Sequence, residues 1–357
     1  MNESMSKYKP DWLEAKQRMA DWWAGKKTGR VAASVRAPVK MDSAPDYIHK
    51  SPDKYIDAGA VFHNLERELN HTFWGGDAFP YHFIYFGPMY NPMTYFGATP
   101  IFTETTTWYA PCFKSLDEIL AYEPDPDNNK WVQLEREITK MSIERSGGSY
   151  MVTVNGVSAI VDTLAGLLGN EALLMAMADE PEKVIAARDK LLRYFTPTYD
   201  ASYGAASECN SGGSIDWLGV WTPGKALSNQ SDLCVMISHA MFDKFIFDDM
   251  KSMFDHLDHG YYHLHEGEIM HLDSLLKIDK IEMIQWSPDT RVGIPDYDDP
   301  LKWTGLFKRI QNAGRRVLID VPHERVKELL TKIDRDLTYL NVSCPDEQTA
   351  CQVLRDL

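Results

Sequence analysis

Eight runs rich in Val, Ile, Leu and Met, most of them separated by helical stretches, constrain this chain more than any other feature. They are RVAASVRAP (30–38), SYMVTVNG (149–156), SIDWLGVW (214–221), DLCVMIS (232–238), YYHLHE (261–266), IEMIQW (281–286), RRVLIDV (315–321) and LTYLNVSC (337–344). Several are near-continuous apolar segments, the pattern of strands buried on both faces. Between them, Ser238 to His256 opens on a serine start signal, and Asp298 to Asn312 stops just before Gly314. Pro322 to Ile333 places Val326, Leu329 and Leu330 on one face. Strand and helix alternating in steps of ~30 residues predict parallel βαβ units, and eight of them predict an α/β fold closed as a (β/α)8 TIM barrel. The length of 357 residues suits one such barrel with an insertion, so residues 1–357 are expected to form a single domain. An amphipathic segment, Asp11 to Trp23, precedes the first run, with Trp12, Met19 and Trp22-Trp23 on its apolar side.

The connection 39–148 is too long for one crossover and reads as an insertion after the first strand, folding over one end of the barrel. It contains WGGDAFPYHFIYFGPMYNPMTYFG (74–97), dense in aromatics, and a helical segment from Lys130 to Arg145. Such an excursion serves as a packing cap, as an aromatic wall for a planar ligand, or as both, because loops after barrel strands line the active face.

In a barrel, chemistry gathers at the carboxyl ends of the strands. There the sequence places YYHLHEGEIMHLD (261–273). His263 and His265 are two apart on a strand and so share a face. Cys344 ends the eighth run. Two imidazoles and a thiolate with one position open form the ligand set of a catalytic zinc, able to activate an acceptor. The bland alternatives are a pair of polar histidines and a buried cysteine acting as a small hydrophobe. Glu266 and Glu268 fit acid/base or metal-supporting roles, and Glu268 fits a helix cap equally well. His271 lies among Met270, Leu272, Leu275 and Leu276 and reads as packing. The other strand-end polar groups are Arg36, Asn155, Asp216, Trp217, Asp232, Gln285 and Asp320. Of these, Asp232 joins Glu266 as a catalytic candidate. Arg36, Asn155, Trp217, Gln285 and Asp320 are candidates for substrate binding, Arg36 as the fixed cation for a carboxylate. For each, a structural hydrogen bond is the alternative.

The net charge of −15, with no dense basic run, argues against nucleic acid as a partner and leaves a small-molecule substrate as the expectation. Five cysteines without a CxxC pair fit reduced thiols. The amino terminus lacks an apolar signal core and no segment approaches ~18 uninterrupted apolar residues, so a cytoplasmic protein with no membrane partner is expected.

Several stretches resemble the uroporphyrinogen decarboxylase superfamily. They are FTETTTWYAPCFKSLDEI (102–119), ADEPEKVIAARDKL (178–191), SDLCVMISHAMFDKFI (231–246), YYHLHEGEIMHLDSLLKIDKIEMIQWSPD (261–289) and WTGLFKRIQNAGRRVLIDVPHERVKELL (303–330). The resemblance implies a (β/α)8 barrel with its pocket at the carboxyl ends of the strands. Metal-free decarboxylases of this group carry an amino-terminal R-Q-A-G-R loop, whereas here the first run leads into APVKMDSAPDY. The closer likeness is to the branch of zinc methyltransferases that move a methyl group between a corrinoid protein and a thiol such as coenzyme M. Their motif is His-x-Cys with a second Cys near the carboxyl terminus. His263 matches the His and Cys344 the distal Cys, while His265 stands where a thiolate is expected. A nitrogen in that place leaves the zinc more Lewis-acidic and less electron-rich, which disfavours thiolate alkylation. The resemblance therefore implies a Zn(2+)-dependent methyltransferase-like enzyme working with a corrinoid carried by a partner protein, or with a small methylated substrate. A homodimer is compatible with it. The alternatives are a metal-free decarboxylase or lyase that holds a substrate carboxylate on Arg36, and a ligand-binding barrel without chemistry.

Overall fold

Alternation of side chains along the apolar runs builds one mostly parallel sheet with two differently packed faces. The computed structural model describes residues 6–39, 46–84, 92–289 and 299–357. Its strands are β1 (Ala32–Pro38), β2 (Thr72–Gly76), β3 (Tyr81–His82), β4 (Pro100–Phe102), β5 (Thr107–Tyr109), β6 (Met151–Val152), β7 (Gly213–Ser214), β8 (Thr222–Pro223), β9 (Ala226–Asn229), β10 (His259–His265), β11 (Ile281–Ser287), β12 (Arg316–Asp320) and β13 (Thr338–Ser343). Seven form the central sheet in the order β2-β1-β13-β12-β11-β10-β9. Every pairing in it is parallel except β2 on β1. β3 and β6 make a separate parallel pair, and β4–β5 and β7–β8 are antiparallel ribbons.

The expected α/β class with a parallel sheet is therefore present. Among the described residues no continuous ladder closes that sheet into a barrel. Isolated bonds stand where a ladder would run: Val154 N–H donates to the Ile215 carbonyl (2.9 Å), Ala226 N–H to Ser214 Oγ (3.1 Å) and Ser228 N–H to the Asp216 carboxylate (2.7 Å).

One face of the sheet is covered by helices. Val35, Leu227, Tyr262, Leu264, Ile284, Ile319, Leu340 and Val342 point into that layer. The residues between them, Ala32, Ala226, Tyr261, Met283, Leu318 and Tyr339, pack on the other face against Trp12, Ala15, Met19, Trp22 and Trp23. The helix Trp12–Trp23 thus plugs the amino-terminal end of the inner face. Arg316 fastens it, donating to the carbonyls of Trp22 and Trp23 (both 2.9 Å) while stacking over both indoles. Fully buried Lys9 donates to the carbonyls of Trp74 and Gly76 on β2.

Several expected elements differ. Residues 232–238 are not a strand: Asp232–Met236 is a 3-10 helix, and the parallel strand of this region is β9, four half-polar residues upstream of it. Apolar content misleads here, because Val235 and Met236 face solvent while Ser228 and Asn229 are buried with polar partners, Ser228 N–H donating to Asp216 and Asn229 Oδ1 accepting from Ala159 N–H. The run 149–156 pairs only over β6, and 214–221 contributes only the start of a ribbon. Ser238 caps its helix as predicted, accepting from Met241 N–H, but the helix is broken at Ile246 into His239–Phe245 and Phe247–Asp255. The helix ending before Gly314 (φ +76°) is Thr304–Asn312, preceded by a 3-10 turn Pro300–Trp303; Asp298 lies outside the described residues.

The excursion after β1 has an apolar cluster of its own. The helices Ala58–His71 and Lys130–Ser146 enclose Phe62, Leu65, Leu69 and Ile138 against Tyr150 and Val152. Its strand β2 joins the main sheet. Of the aromatic stretch 74–97, residues 85–91 lie outside the described residues. No single described helix is long and apolar enough to cross a membrane.

Candidate functional site

Beyond the plug, the inner face turns polar, and the same two-residue period that places Tyr261, Met283 and Tyr339 inward sets the next residues beside them. Tyr261 is followed by His263 and His265, Met283 by Gln285, Leu318 by Asp320, Tyr339 by Asn341, and Ala32, two steps on, by Arg36. A chain of contacts joins these groups. Arg36 Nη2 donates to Asn341 Oδ1 (3.3 Å), and Asn341 Nδ2 to Asp320 Oδ1 (2.6 Å). Gln285 Nε2 donates to the Trp286 carbonyl (3.0 Å) and reaches Asp320 Oδ2 (3.5 Å). Gln285 Oε1 then meets His263 Nδ1, and His263 Nε2 faces His265 Nε2 at 2.9 Å. Trp217 stands edge-on to the His263 ring, centroids 5.0 Å apart, and Tyr81 donates to the Trp217 carbonyl (3.4 Å). Asp216 lies beneath, fully buried, and accepts from Leu218 and Ser228 N–H groups.

These partners fix the protons. With its amide nitrogen engaged elsewhere, Gln285 presents oxygen to His263, so the single proton of neutral His263 sits on Nδ1. His263 Nε2 is then a bare lone pair. Two bare nitrogens at 2.9 Å would repel, so the proton between the rings belongs to His265. Burial, and next the charge of His265, push the His263 pKa down to about 4, with the Gln285 bond opposing. The result is a neutral base in contact with a hydrogen-bond donor.

His265 is half-buried. Its Nδ1 lies 3.2 Å from Asp289 Oδ1, and Asp232 adds a second negative charge nearby. Fully buried Glu268 packs against it, Oε2 accepting from His265 N–H (3.4 Å). Burial, together with the charges of Asp232 and Asp162, holds the Glu268 carboxyl well above the usual range. Such an acid gives its full stability below its unfolded pKa and loses it as pH rises. Glu268→Gln should therefore gain stability relative to the parent as pH rises. The melting-temperature difference at about pH 8.5 should favour the variant more than at about pH 5.5. An unchanged difference would mean that Glu268 is ionised in the folded state.

The candidates read from the sequence are unevenly distributed across the sheet. Arg36, Trp217, Gln285, Asp320, His263 and His265 form the row described above. Asp232, at the start of its 3-10 helix and exposed, and half-buried Glu266 flank the His265 end. Asn155 is elsewhere. Its amide reaches Glu135 (3.5 Å) in a separate cavity of about 470 Å³ between the helices Lys130–Ser146 and Phe195–Ala206.

Cys344 also departs from the expected place. Ser343 continues the inward positions of β13, so the next residue turns to the opposite side, and Cys344 packs in the helix-covered layer. The set His263, His265 and Cys344 therefore does not converge. Among the described residues no group of three or more His, Cys, Asp or Glu side chains is placed to hold a metal ion. The donors present do not fit the three-ligand zinc centre. His271 is fully buried, stacked on Phe242 with centroids 4.6 Å apart and bonded through Nε2 to the Cys234 carbonyl (2.9 Å). Two members of the row, Asn341 and Asp289, were not singled out from the sequence. Asn341 was within reach of the two-residue period, being two residues from Tyr339 in LTYLNVSC. Asp289 lies past the end of its strand, where no period applies.

No protein-family model matches the chain, and no curated protein matches it by sequence. Among solved structures, a methyltransferase from Methanosarcina mazei superposes with a TM-score of 0.58 at 11% identity, over 96% of this chain and 98% of that one. The likeness is one of fold, carried along nearly the full length of both.

Proposed function

We propose that this chain is a methyltransferase-like enzyme of the uroporphyrinogen decarboxylase superfamily, acting on a small molecule at the carboxyl ends of β10–β13. In this reading β3, β6 and the segment 213–216 complete a barrel-like wall with the main sheet. The observation that carries the reading is the unprotonated Nε2 of neutral His263, held in place by Gln285 and accepting from His265, in a fold shared with a methyltransferase. Methyl transfer to a thiol needs the acceptor as thiolate. As the thiol displaces the His265 donor, His263 Nε2 takes the thiol proton, the sulfur pair attacks the methyl carbon, and the bond from carbon to the donor breaks with its electrons left on the donor. With a methyl-corrinoid as donor, supplied by a partner protein, the leaving group is Co(I), and the balance is thiol plus methyl–Co(III) giving thioether, Co(I) and a proton. Trp217, Gln285, Asp320 and Arg36 line the approach, while Asp232 and Glu266 bear on His265. No step is routed through zinc, since Cys344, the third ligand assigned to it, packs in the other layer of the fold.

Arg36 Nε, buried and without a hydrogen-bond partner, favours a second reading, a metal-free carboxy-lyase in which this guanidinium holds a substrate carboxylate.

Methylcobalamin with 2-mercaptoethanol, followed by mass spectrometry of the methyl thioether, tests the first. The protein is expected to accelerate thioether formation, and prior treatment with EDTA to leave the rate unchanged. A rate no greater than that without protein would overturn methyl transfer from a corrinoid to a thiol. Loss of the rate in EDTA would restore a metal to the mechanism.

A further inference from the structure

The excursion after β1 contains a cavity of about 320 Å³, set apart from the histidine pair. It lies between the helices Ala58–His71 and Lys130–Ser146 and is floored by β3. At its inner end is His82, 5% exposed. β3 pairs His82 with Val152, a residue of the excursion's apolar cluster, so the imidazole stands on the outer side of the sheet. Leu65, Ile84, Tyr55 and Phe83 supply apolar and aromatic walls, and Glu68 stands exposed at the rim.

The His82 ring is pinned from one side. Nδ1 lies 2.7 Å from Ser142 Oγ, and Ser142 is itself fully buried. Among the described residues that hydroxyl has one partner, and a buried hydroxyl proton left unpaired is costly, so Ser142 donates and Nδ1 accepts. The ring proton is thereby placed on Nε2, the nitrogen left for the cavity that His82 lines. Burial pushes the His82 pKa down to about 4, so the ring stays neutral at ordinary pH. A buried, oriented donor facing a space large enough for a ring is the arrangement of a small-molecule site, with apolar walls for affinity and one polar group for orientation.

We infer that this cavity binds a small, neutral, planar ring carrying a hydrogen-bond acceptor, such as a pyridine-type nitrogen or a ring carbonyl, which receives the Nε2–H of His82. A charged head group is disfavoured beside His82, which is neutral and bonded to the neutral Ser142, while the Asn64 amide in the lining is taken by the Ile48 backbone. The site is separate from the methyl-transfer reading and does not depend on it.

The probes are 4-methylpyridine and toluene, equal in shape and differing by one acceptor nitrogen, titrated at about pH 8 by ligand-observed NMR so that ring and imidazole are both neutral. The intact protein is expected to bind 4-methylpyridine about tenfold more tightly than toluene, the weight of one buried hydrogen bond. In the double variant His82→Phe/Ser142→Ala, which removes both partners together and leaves no orphan hydroxyl, toluene should still bind and the preference should vanish. Failure of both probes to bind the parent would overturn the site. Equal binding of the two probes by the parent, or an unchanged preference in the double variant, would overturn the role of His82. Should the double variant not fold, Leu65→Trp, which fills the cavity, must abolish 4-methylpyridine binding or the site is elsewhere.

Discussion

Asp77→Ala is expected to lower the unfolding free energy by about 3–5 kcal/mol, read as a shift of the urea midpoint with unchanged slope. Asp77 is fully buried. One oxygen accepts from Arg18 Nε (2.9 Å), and the other accepts from Ala33 N–H (3.0 Å) and lies 3.0 Å from Arg30 Nη1. Its own backbone N–H returns a bond to the Ala33 carbonyl (2.6 Å). The carboxylate thus ties three segments together: the plugging helix through Arg18, the approach to β1 through Arg30, and β1 itself. Alanine would strand Arg30 and the Nε of Arg18, whose Nη2 keeps Asp11 and the Gly76 carbonyl, and leave one β1 amide unpaired. The penalty from those stranded partners exceeds what the native ion pairs contribute, because the pairs had already met the cost of desolvation. Asp77→Asn keeps an oxygen for one partner and should fall between the parent and the alanine variant. A midpoint shift under about 1 kcal/mol for alanine would mean that water reaches the site and that the network acts as an exposed one.

Much of this architecture was legible in the sequence where one signal dominates. β1, β10, β11, β12 and β13 follow the apolar runs closely, because strands covered on both faces need no polar alternation and their Val, Ile and Leu content is unmistakable. β9 was missed for the opposite reason. Ala226–Asn229 is short and half polar, and its burial is made tolerable by Asp216 and by the Ala159 amide, partners at sequence distances no periodicity reports. The adjacent Asp232–Met236 looked like a strand by composition, yet its first turn is held by tertiary bonds: the Asp162 carboxylate accepts from the N–H groups of Asp232 (2.8 Å) and Leu233 (2.9 Å). β2 stayed hidden in the excursion because TFWGG carries two glycines. A Cβ at Gly75 or Gly76 would come within 3.0 Å of the β1 backbone, so the pairing itself selects glycine.

The site divides along the same line. His263, His265, Gln285, Asp320 and Arg36 fall in one row because strand ends and a two-residue period place them there. Cys344 falls on the other side because one residue of register decides which side of a sheet a group faces. Proximity in sequence to a strand terminus fixes height along the sheet and leaves the face undecided. Here the face determines the chemistry: a thiol one position earlier would have joined the polar row, and at 344 it packs with Val342, Ala350 and Val353.

His263→Ala should reduce thioether formation by about 10²–10⁴-fold, the range for loss of a positioned base, and should do so in the turnover number rather than in the apparent affinity for the thiol. The pH dependence separates this role from a structural one. With its pKa pushed down to about 4, parent His263 is unprotonated across the neutral range, so its acid limb should lie near pH 4 rather than near the usual histidine value. The same shift has a consequence for stability. The folded state binds fewer protons than the unfolded chain between about pH 4 and 6.5, so the group's contribution is complete above about 6.5 and is lost as pH falls toward 4. His263→Gln, which keeps an amide beside Gln285 and Trp217, should remove that loss and flatten the acid side of the stability curve relative to the parent. Imidazole ¹⁵N shifts give the direct measurement: His263 should be protonated on Nδ1 and titrate well below the exposed histidines. An Nε2–H tautomer, or an ordinary pKa, would remove the lone pair on which the chemistry depends, and a His263→Ala variant with undiminished turnover would move the base to another residue of the row.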